Sequence, residues 1–411
     1  MAYLRVKKAG HMSHAKKALI VGGGVAGPVA AMALRQARID SVVYEAYASG
    51  ADDAGAFLTF SSNGLDALRT IHAHHVVLSE GFPTPRMTIQ SGTGKHLGDV
   101  PNGGTLPDGT VSQTLKQADL YRALRDEAVR RGASVEYNKR LVDAETTLDG
   151  VVVARFEDGT EAEGDLLIGA DGIHSRTRRI IDPSAPGARY IPVLNIGGYA
   201  RGVRVPADPG SFRMIFGKCA FFGYAVHPSG EIWWFANPPS ERELTRAELA
   251  ATTTEQWKER LIELFSADAT TAVDIIRSTT GELTGTNQYD MPSVPTWHRG
   301  PMIIVGDAAH ATSPSSGQGA SIAIEDAVVL ARCLRDLPDV KLAFAAYEQL
   351  RRQRVERVVA YGARTNNSKA AGPIARVLRD LMLPIILKRA TGGESYAWVY
   401  DYHIDWQEEV A

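Results

Sequence analysis

The stretch ALIVGGGVAG, Ala18 to Gly27, decides the fold. Ala18 to Val21 is an apolar run too short for a helix and suited to a strand buried on both faces of a parallel sheet. Gly22-Gly23-Gly24-Val25-Ala26-Gly27 follows as G-x-G-x-x-G. Pro28 to Arg38 then carries alanines, Met32 and Leu34 at helical spacing, and SVVYEA, Ser41 to Ala46, reads as a second strand ending at Glu45. The order strand, glycine turn, helix, strand, acid is that of a dinucleotide-binding unit. Gly22 permits the tight turn, Gly24 lets backbone approach a pyrophosphate, and Gly27, beside Ala26, lets helix and strand lie close. The helix N-terminus offers free N–H groups and a positive dipole end to the phosphates. Glu45 stands at the distance expected of an acid that accepts hydrogen bonds from two ribose hydroxyls.

Two later stretches repeat the device. DLLIGADGIHSRTRR, Asp165 to Arg179, reads as a buried strand broken at Gly169 to Gly172, with Asp171 at its exit. An acid at the carboxyl end of such a strand points into the ligand crevice of an open α/β sheet, or it simply caps the next turn. PMIIVGDAAHATSPSSGQGASIAIEDA, Pro301 to Ala327, is a third buried strand ending at Gly306-Asp307. Its loop, with Pro314, Gly317 and Gly319, leads through Ala320 into an apolar-faced helix whose N-terminal N–H groups suit a developing anion. His310 reads as a partner in a local loop hydrogen bond.

Between these landmarks the pattern changes. Phe212 to Phe216, Ala220 to His227 and Glu231 to Asn237 are short aromatic runs separated by turn residues, an antiparallel meander. Ile191 to Val205 and Met87 to Gln90 add strands. Phe216, Phe221, Phe222, Tyr224, Trp233 and Trp234 are candidates to line an apolar pocket or to fill the sheet core; Arg201, Arg204 and Arg213 are candidates to hold a carboxylate, a phenolate or the nicotinamide phosphate, or stand solvated. The expected architecture is α/β: a Rossmann-like domain from 16–80, 105–185 and 290–365, a mostly antiparallel substrate domain from 81–104 and 186–289, and a C-terminal helical segment from 366–411. The helix at Lys341 to Ala360 is expected to carry its arginines on a solvated face, and YAWVYDYHIDW near the end to lie over the pocket or at a dimer contact.

Composition excludes other classes. The 411 residues are 44% hydrophobic and 22% charged, enough apolar surface to rule out disorder. Lys+Arg 45 against Asp+Glu 47 leaves a net −2 and no footprint for nucleic acid. Cys219 and Cys333 form no zinc or disulfide pattern, which suits the cytoplasm. His72, His74 and His75 lack the companions of a metal site, so no metal is expected. No apolar run is long enough for a membrane helix, and the polar start is not a secretory signal. Gly10-His11-Met12 reads as a cloning scar, with Met12 the native start.

GGGVAG at 22–27, GADGIHSRTR at 169–178 and GDAAHATSPSSGQG at 306–319 together resemble the three motifs of single-component flavoprotein monooxygenases, the aromatic hydroxylases that include 4-hydroxybenzoate hydroxylase. The resemblance runs from about Ala18 onward, in the short branch without a thioredoxin-like domain. It implies FAD as cofactor, NADPH or NADH as co-substrate, and oxygen transfer from O2 through a flavin C4a-hydroperoxide. Gly22, Gly24 and Gly27 would hold the pyrophosphate, Glu45 the adenosine ribose, Asp307 the ribityl chain, and Asp171 would lie near the pyrophosphate. Pro314, Gly317 and Gly319 would border the flavin ring, and Phe57 and Leu58, within Gly55 to Asn63, would touch it. Gln117, in LKQADLYRAL, stands where the family has an Arg, which implies weaker or more mobile FAD. The aromatic runs suggest as substrate a phenol, an aromatic polyketide or a similar apolar secondary metabolite, not a small polar acid. A halogenase is set aside because W-x-W-x-I-P is absent; a flavin scaffold for non-redox cyclisation and a non-enzymatic flavin-binding protein stay open.

Overall fold

The strand Lys17–Val21 lies near the centre of a six-stranded sheet, with Ala18, Leu19 and Ile20 wholly excluded from solvent. Leu166–Gly169 and then Met302–Ile304 pair on one side, Asp40–Tyr44 and Ser134–Glu136 on the other, all parallel, with His298–Arg299 antiparallel at the edge. The computed structural model describes residues 17–49, 57–369, 373–390 and 397–410. The reading of the first fifteen residues, and Gly55-Ala56 of the expected flavin stretch, lie outside them. The helices Ala26–Gln36 and Gly319–Asp336 pack together on this sheet. The second is buried nearly all round, as a helix at the centre of a large core must be. The meander Leu141–Thr146, Val152–Phe156 and Glu161–Gly164 also lies against the central strand, Gly164 meeting Leu19.

The second layer is an eight-stranded, mostly antiparallel sheet. Its order is Thr279–Thr280, Arg189–Ala200, Ile232–Asn237, Phe221–Val226, Phe212–Phe216, Arg86–Ser91, His96–Pro101, with Gly285–Asp290 also pairing with the long strand. Only Phe212–Phe216 and Arg86–Ser91 run parallel. The three aromatic runs form strands at the expected places. Helices Arg246–Ala251, Thr254–Phe265 and Ala272–Arg277 cover one face, the first two opened by Thr245/Glu248 and Thr253/Gln256 capping boxes. A small sheet of Phe57–Phe60, Gln113–Lys116 and Phe82–Pro83 sits toward the other face.

The helix Val340–Lys369 corrects one expectation. Arg351 is fully buried and Arg354 nearly so, paired with Glu325 and Asp326 inside the core; neither belongs to a solvated face. The segment containing Ala397–Tyr400 folds back on the chain itself. Tyr400 O accepts from Ser62 Oγ at 3.1 Å, Ile404 O accepts from Thr70 Oγ1 at 2.9 Å, and His403 meets Asp66 at 2.6 Å. Among the described residues no helix is long and apolar enough to cross a membrane, and no group of His, Cys, Asp and Glu is arranged to hold a metal. His72 and His75 are exposed, and His75 faces Glu127 at 3.6 Å.

Candidate active site

Each of the three glycine-rich motifs touches the other two. Gly22 has φ +110°, and a Cβ there would lie 2.3 Å from Ala170 O, so the first turn is wedged against the second motif. A Cβ on Gly27 would lie 1.9 Å from Gly22 O; only glycine lets the helix start this close to the turn. Gly306 faces Ala26 and Ala323, joining the first motif to the third. Arg178, buried, donates to Ala308 O at 2.8 Å and to Ile173 O at 2.7 Å, joining the second to the third.

A nucleotide cradle results. Among the described residues nothing lies within 4 Å of where a Cβ of Gly24 or Gly317 would be, so among them both edges of the cradle face open space. Glu45, nearly buried, accepts from Gly23 N at 2.6 Å through Oε2 and from Tyr47 N at 2.9 Å through Oε1. Its carboxylate thus fixes the glycine turn and retains lone pairs for hydroxyl donors. Asp307 is exposed at the end of the third strand although protein atoms crowd around it. Burial raises its pKa, with Asp326 adding to the rise and His310 opposing it. Pro314 and Gly317 are exposed, Gly319 and Ala320 half-exposed; Gly317 is left-handed, φ +62°, and turns the chain into the helix Gly319–Asp336. The first-turn N–H groups of that helix have no intrahelical acceptors. These open glycines, exposed donors and an exposed acid fit the phosphates and polyol of FAD.

Asp171 takes the capping role. Ser175 Oγ donates to one oxygen at 2.6 Å, and Arg176 N, Thr177 N and Thr177 Oγ1 donate to the other at 2.8, 2.9 and 3.0 Å. Gln117 donates to Tyr121 OH, whose pKa burial raises with Asp307 adding to the rise. Neither basic neighbour replaces the missing Arg: Arg122 pairs with Asp119, and Lys116 lies over the rings of Tyr199 and Trp233.

The substrate-side expectation needs correction. Phe222, Tyr224 and Trp234 are buried under Trp257, Leu261 and Phe265 on the helix-covered face of the large sheet, so they line no cavity. Arg213 shares that face and donates to Pro206 O. Arg201 pairs with Glu231 at 2.8 Å, and Arg204 is exposed. Alternation sends their neighbours the other way: Tyr199, Phe212, Met214, Phe221, Trp233 and Phe235 face the small sheet, where Phe57 lies 5.9 Å from Trp233 and 6.0 Å from Phe235. Leu58 points oppositely, into the parallel core.

A polar network behind the flavin-edge loop escaped the sequence reading. Gln318 donates to Ser61 Oγ at 2.9 Å and accepts from Asn63 at 3.0 Å. Asn63 donates to Glu325 at 2.7 Å, and Glu325 also takes Arg351 at 2.7 Å and Arg354 at 2.8 Å. Asp326 takes Arg351 at 2.8 Å, Gly306 N at 2.9 Å, and His310. The bond of His310 therefore reaches the next helix, beyond its own loop. Two acids side by side in an otherwise apolar helix were the available signal.

A parallel sheet whose three strand ends converge on one cradle, faced by an aromatic wall, defines a dinucleotide-binding flavoprotein with a separate substrate layer. The FAD binding domain family matches residues 15–361, and the chain belongs to that family. It is 29% identical to an FAD-dependent urate hydroxylase of Klebsiella pneumoniae over 84% of this chain and 88% of that one. It is 30% identical to 6-hydroxynicotinate 3-monooxygenase of Pseudomonas fluorescens over 84% and 90%. The crystal structure of Klebsiella pneumoniae HpxO complexed with FAD and uric acid superposes with a TM-score of 0.83 at 25% identity, covering 94% of this chain and 97% of that one. The protein is thus a flavin-dependent monooxygenase of the single-component hydroxylase type. FAD is its cofactor, and enzymes of this class take reduced nicotinamide as co-substrate.

Proposed function

We propose that this enzyme inserts one oxygen atom from O2 into a planar aromatic small molecule in the cytoplasm, the other atom leaving as water, with NADPH or NADH supplying the two electrons. The convergence of the three motifs on one open cradle carries the reading. Gly22, Gly24, Ala26 and Gly27 would hold the FAD pyrophosphate and Glu45 the adenosine ribose. Asp307 would hold the ribityl chain, and Pro314, Gly317, Gly319 and Ala320 the ring edge. Bound FAD supplies the electron transfer and oxygen activation. The protein supplies placement. The first turn of Gly319–Asp336 would offer N–H donors and a positive dipole end to the ring edge of bound FAD. The aromatic face of Tyr199, Trp233, Phe235, Phe212 and Phe57 would help to exclude water from the site.

The test is anaerobic addition of NADPH or NADH to the FAD-loaded protein, followed by the visible flavin band, with and without a panel of hydroxylated aromatics. Bleaching that one panel member accelerates, then incorporation of one labelled oxygen atom on aeration, is the expected result. A band that stays oxidised with both nucleotides and the whole panel overturns the reading in favour of a non-redox flavin scaffold.

A further inference from the structure

The helix Pro373–Ala390 packs on the strand His96–Pro101, at the edge of the large antiparallel sheet. Leu387 is buried there, so close that a Cβ on Gly98 would lie 2.9 Å from its Cδ1. Arg379 lies over the ring of Phe216 at 4.5 Å and pairs with Asp380 at 2.8 Å. Lys95 Nζ donates to the carbonyl of Asp380 at 3.2 Å. At about 100° per residue, Arg376, Arg379, Leu383 and Leu387 fall on this inner side of the helix.

The outer side is apolar. Leu378, Leu381, Met382 and Ile385 are 60%, 59%, 45% and 48% exposed. Their spacing, i, i+3, i+4 and i+7, gathers them into one stripe about 100° wide. Among the described residues no other helix leaves more than two large apolar side chains this open. Single exposed apolar residues are ordinary, whereas a continuous helical stripe turned to water marks a docking face.

Charge says what the stripe meets. The helix sequence holds Arg376, Arg379, Lys388 and Arg389 against one acid, Asp380, in a chain whose net charge is −2. Lys388 and Arg389 stand seven residues after Leu381 and Met382, so in sequence they continue the stripe into a basic end. Lys95, exposed, borders the helix. Lys218, also exposed, lies on the adjoining turn, where a Cβ on Gly92 would meet its backbone at 3.0 Å. A second copy of the chain is the poorer occupant, because a two-fold axis would set these cations against their own images. An anionic bilayer matches both halves: apolar side chains enter the acyl edge, and Lys and Arg reach phosphate headgroups.

We infer that the outer face of Pro373–Ala390 docks this enzyme reversibly on an anionic phospholipid surface. The helix is not apolar enough to cross a bilayer, so it lies in the plane of the interface. The inference is independent of the reaction the enzyme performs.

Vesicle flotation with the FAD-loaded full chain tests it. Wild type should float with vesicles of phosphatidylcholine and phosphatidylglycerol in equal parts, and bind phosphatidylcholine alone about tenfold or more weakly. Raising salt from about 0.1 to 0.5 M should release it. Leu381→Ser combined with Met382→Ser should weaken binding to the anionic vesicles about tenfold or more. Lys95→Gln combined with Lys218→Gln should weaken it about threefold, and on anionic vesicles only. All four positions are exposed, so FAD retention and the urea midpoint should hold. Wild type that floats with neither vesicle overturns the inference, as does equal binding to both at every salt concentration, or undiminished binding by the serine pair. Gel filtration tests the other occupant: a wild-type dimer that the serine pair converts to monomer would give the stripe to a second copy. Should the serine pair lose its fold, the two wild-type lipid arms and their salt dependence still decide.

Discussion

The two faces of the large antiparallel sheet use the same residue types to opposite ends. On one face Phe222 stacks on Trp234 at 5.4 Å, Phe265 meets Phe222 edge-on, and Trp257 and Leu261 close the layer. On the other, Trp233 is buried against Phe57, Phe82 and His227, while Tyr199 and Phe235 keep part of their surface open. One register step separates a face sealed by helices from a face turned toward the small sheet. Aromatic composition marks a sheet as useful; parity decides which half is structural.

Trp234→Ala against Trp233→Ala is the sharpest way to break this contrast. Removing Trp234 should cost about 3–5 kcal/mol in urea unfolding, with activity per folded molecule little changed. Removing Trp233 should cost less than half as much and raise the KM for the substrate. Equal stability losses would mean that both faces are core.

The same contrast separates two acids, and it sets the next effect. Burial works against the Asp326 carboxylate, yet His310 and Arg351 beside it pull its pKa down to about 2. A lowered carboxylate contributes stability that is present above its unfolded pKa and is lost as pH falls through the folded one. The urea midpoint should therefore hold from neutral pH to about 4 and fall below it, and Asp326→Asn should flatten that fall from a lower starting point. Asp307, at the end of the third strand, is shifted upward by burial, so its ionised form costs stability at neutral pH and the cost fades on acidification. Asp307→Asn should stabilise the FAD-free protein at pH 7 while weakening FAD retention. A midpoint that drops instead would place Asp307 among the sealed acids.

The smallest effect falls at the cradle's edge. Gln117→Arg should tighten FAD about five- to tenfold, by exchanging a neutral donor for a charged one, measured by fluorescence titration of the FAD-free protein. Wild-type protein that keeps FAD through dialysis, with no gain in the variant, would show that Gln117 and Tyr121 already suffice.

What was legible in the sequence follows from what each residue type must do. The cradle could be read because Gly22 and Gly27 occupy places where a Cβ would collide with backbone, so no other residue gives the same signal. Strand ends at Glu45, Asp171 and Asp307 could be read because short apolar runs stop there. The sheet's strands were visible, but not the parity of Phe222, Tyr224 and Trp234, since aromatic residues stand at consecutive positions and alternation has nothing to select. Arg351 and Arg354 lie in a helix crowded with charge, RRQRVER, where the few buried charges look like the many solvated ones. The contact of Lys116 with Tyr199 and Trp233 left no trace in the sequence, because its ring partners come from strands some 80 and 115 residues further along.

The bonds of Arg354 carry a temporal consequence. Its guanidinium holds Glu325, and thereby Asn63 and Gln318, while donating to the carbonyls of Trp398 at 2.7 Å and Val399 at 2.9 Å. During synthesis all three glycine motifs leave the ribosome long before residues 397–400 do. The nascent chain therefore owns every group of the nucleotide cradle while the tether behind its loop is still unmade. The tether behind the flavin-edge loop is thus completed by a segment that lies outside the three motifs and emerges after all of them.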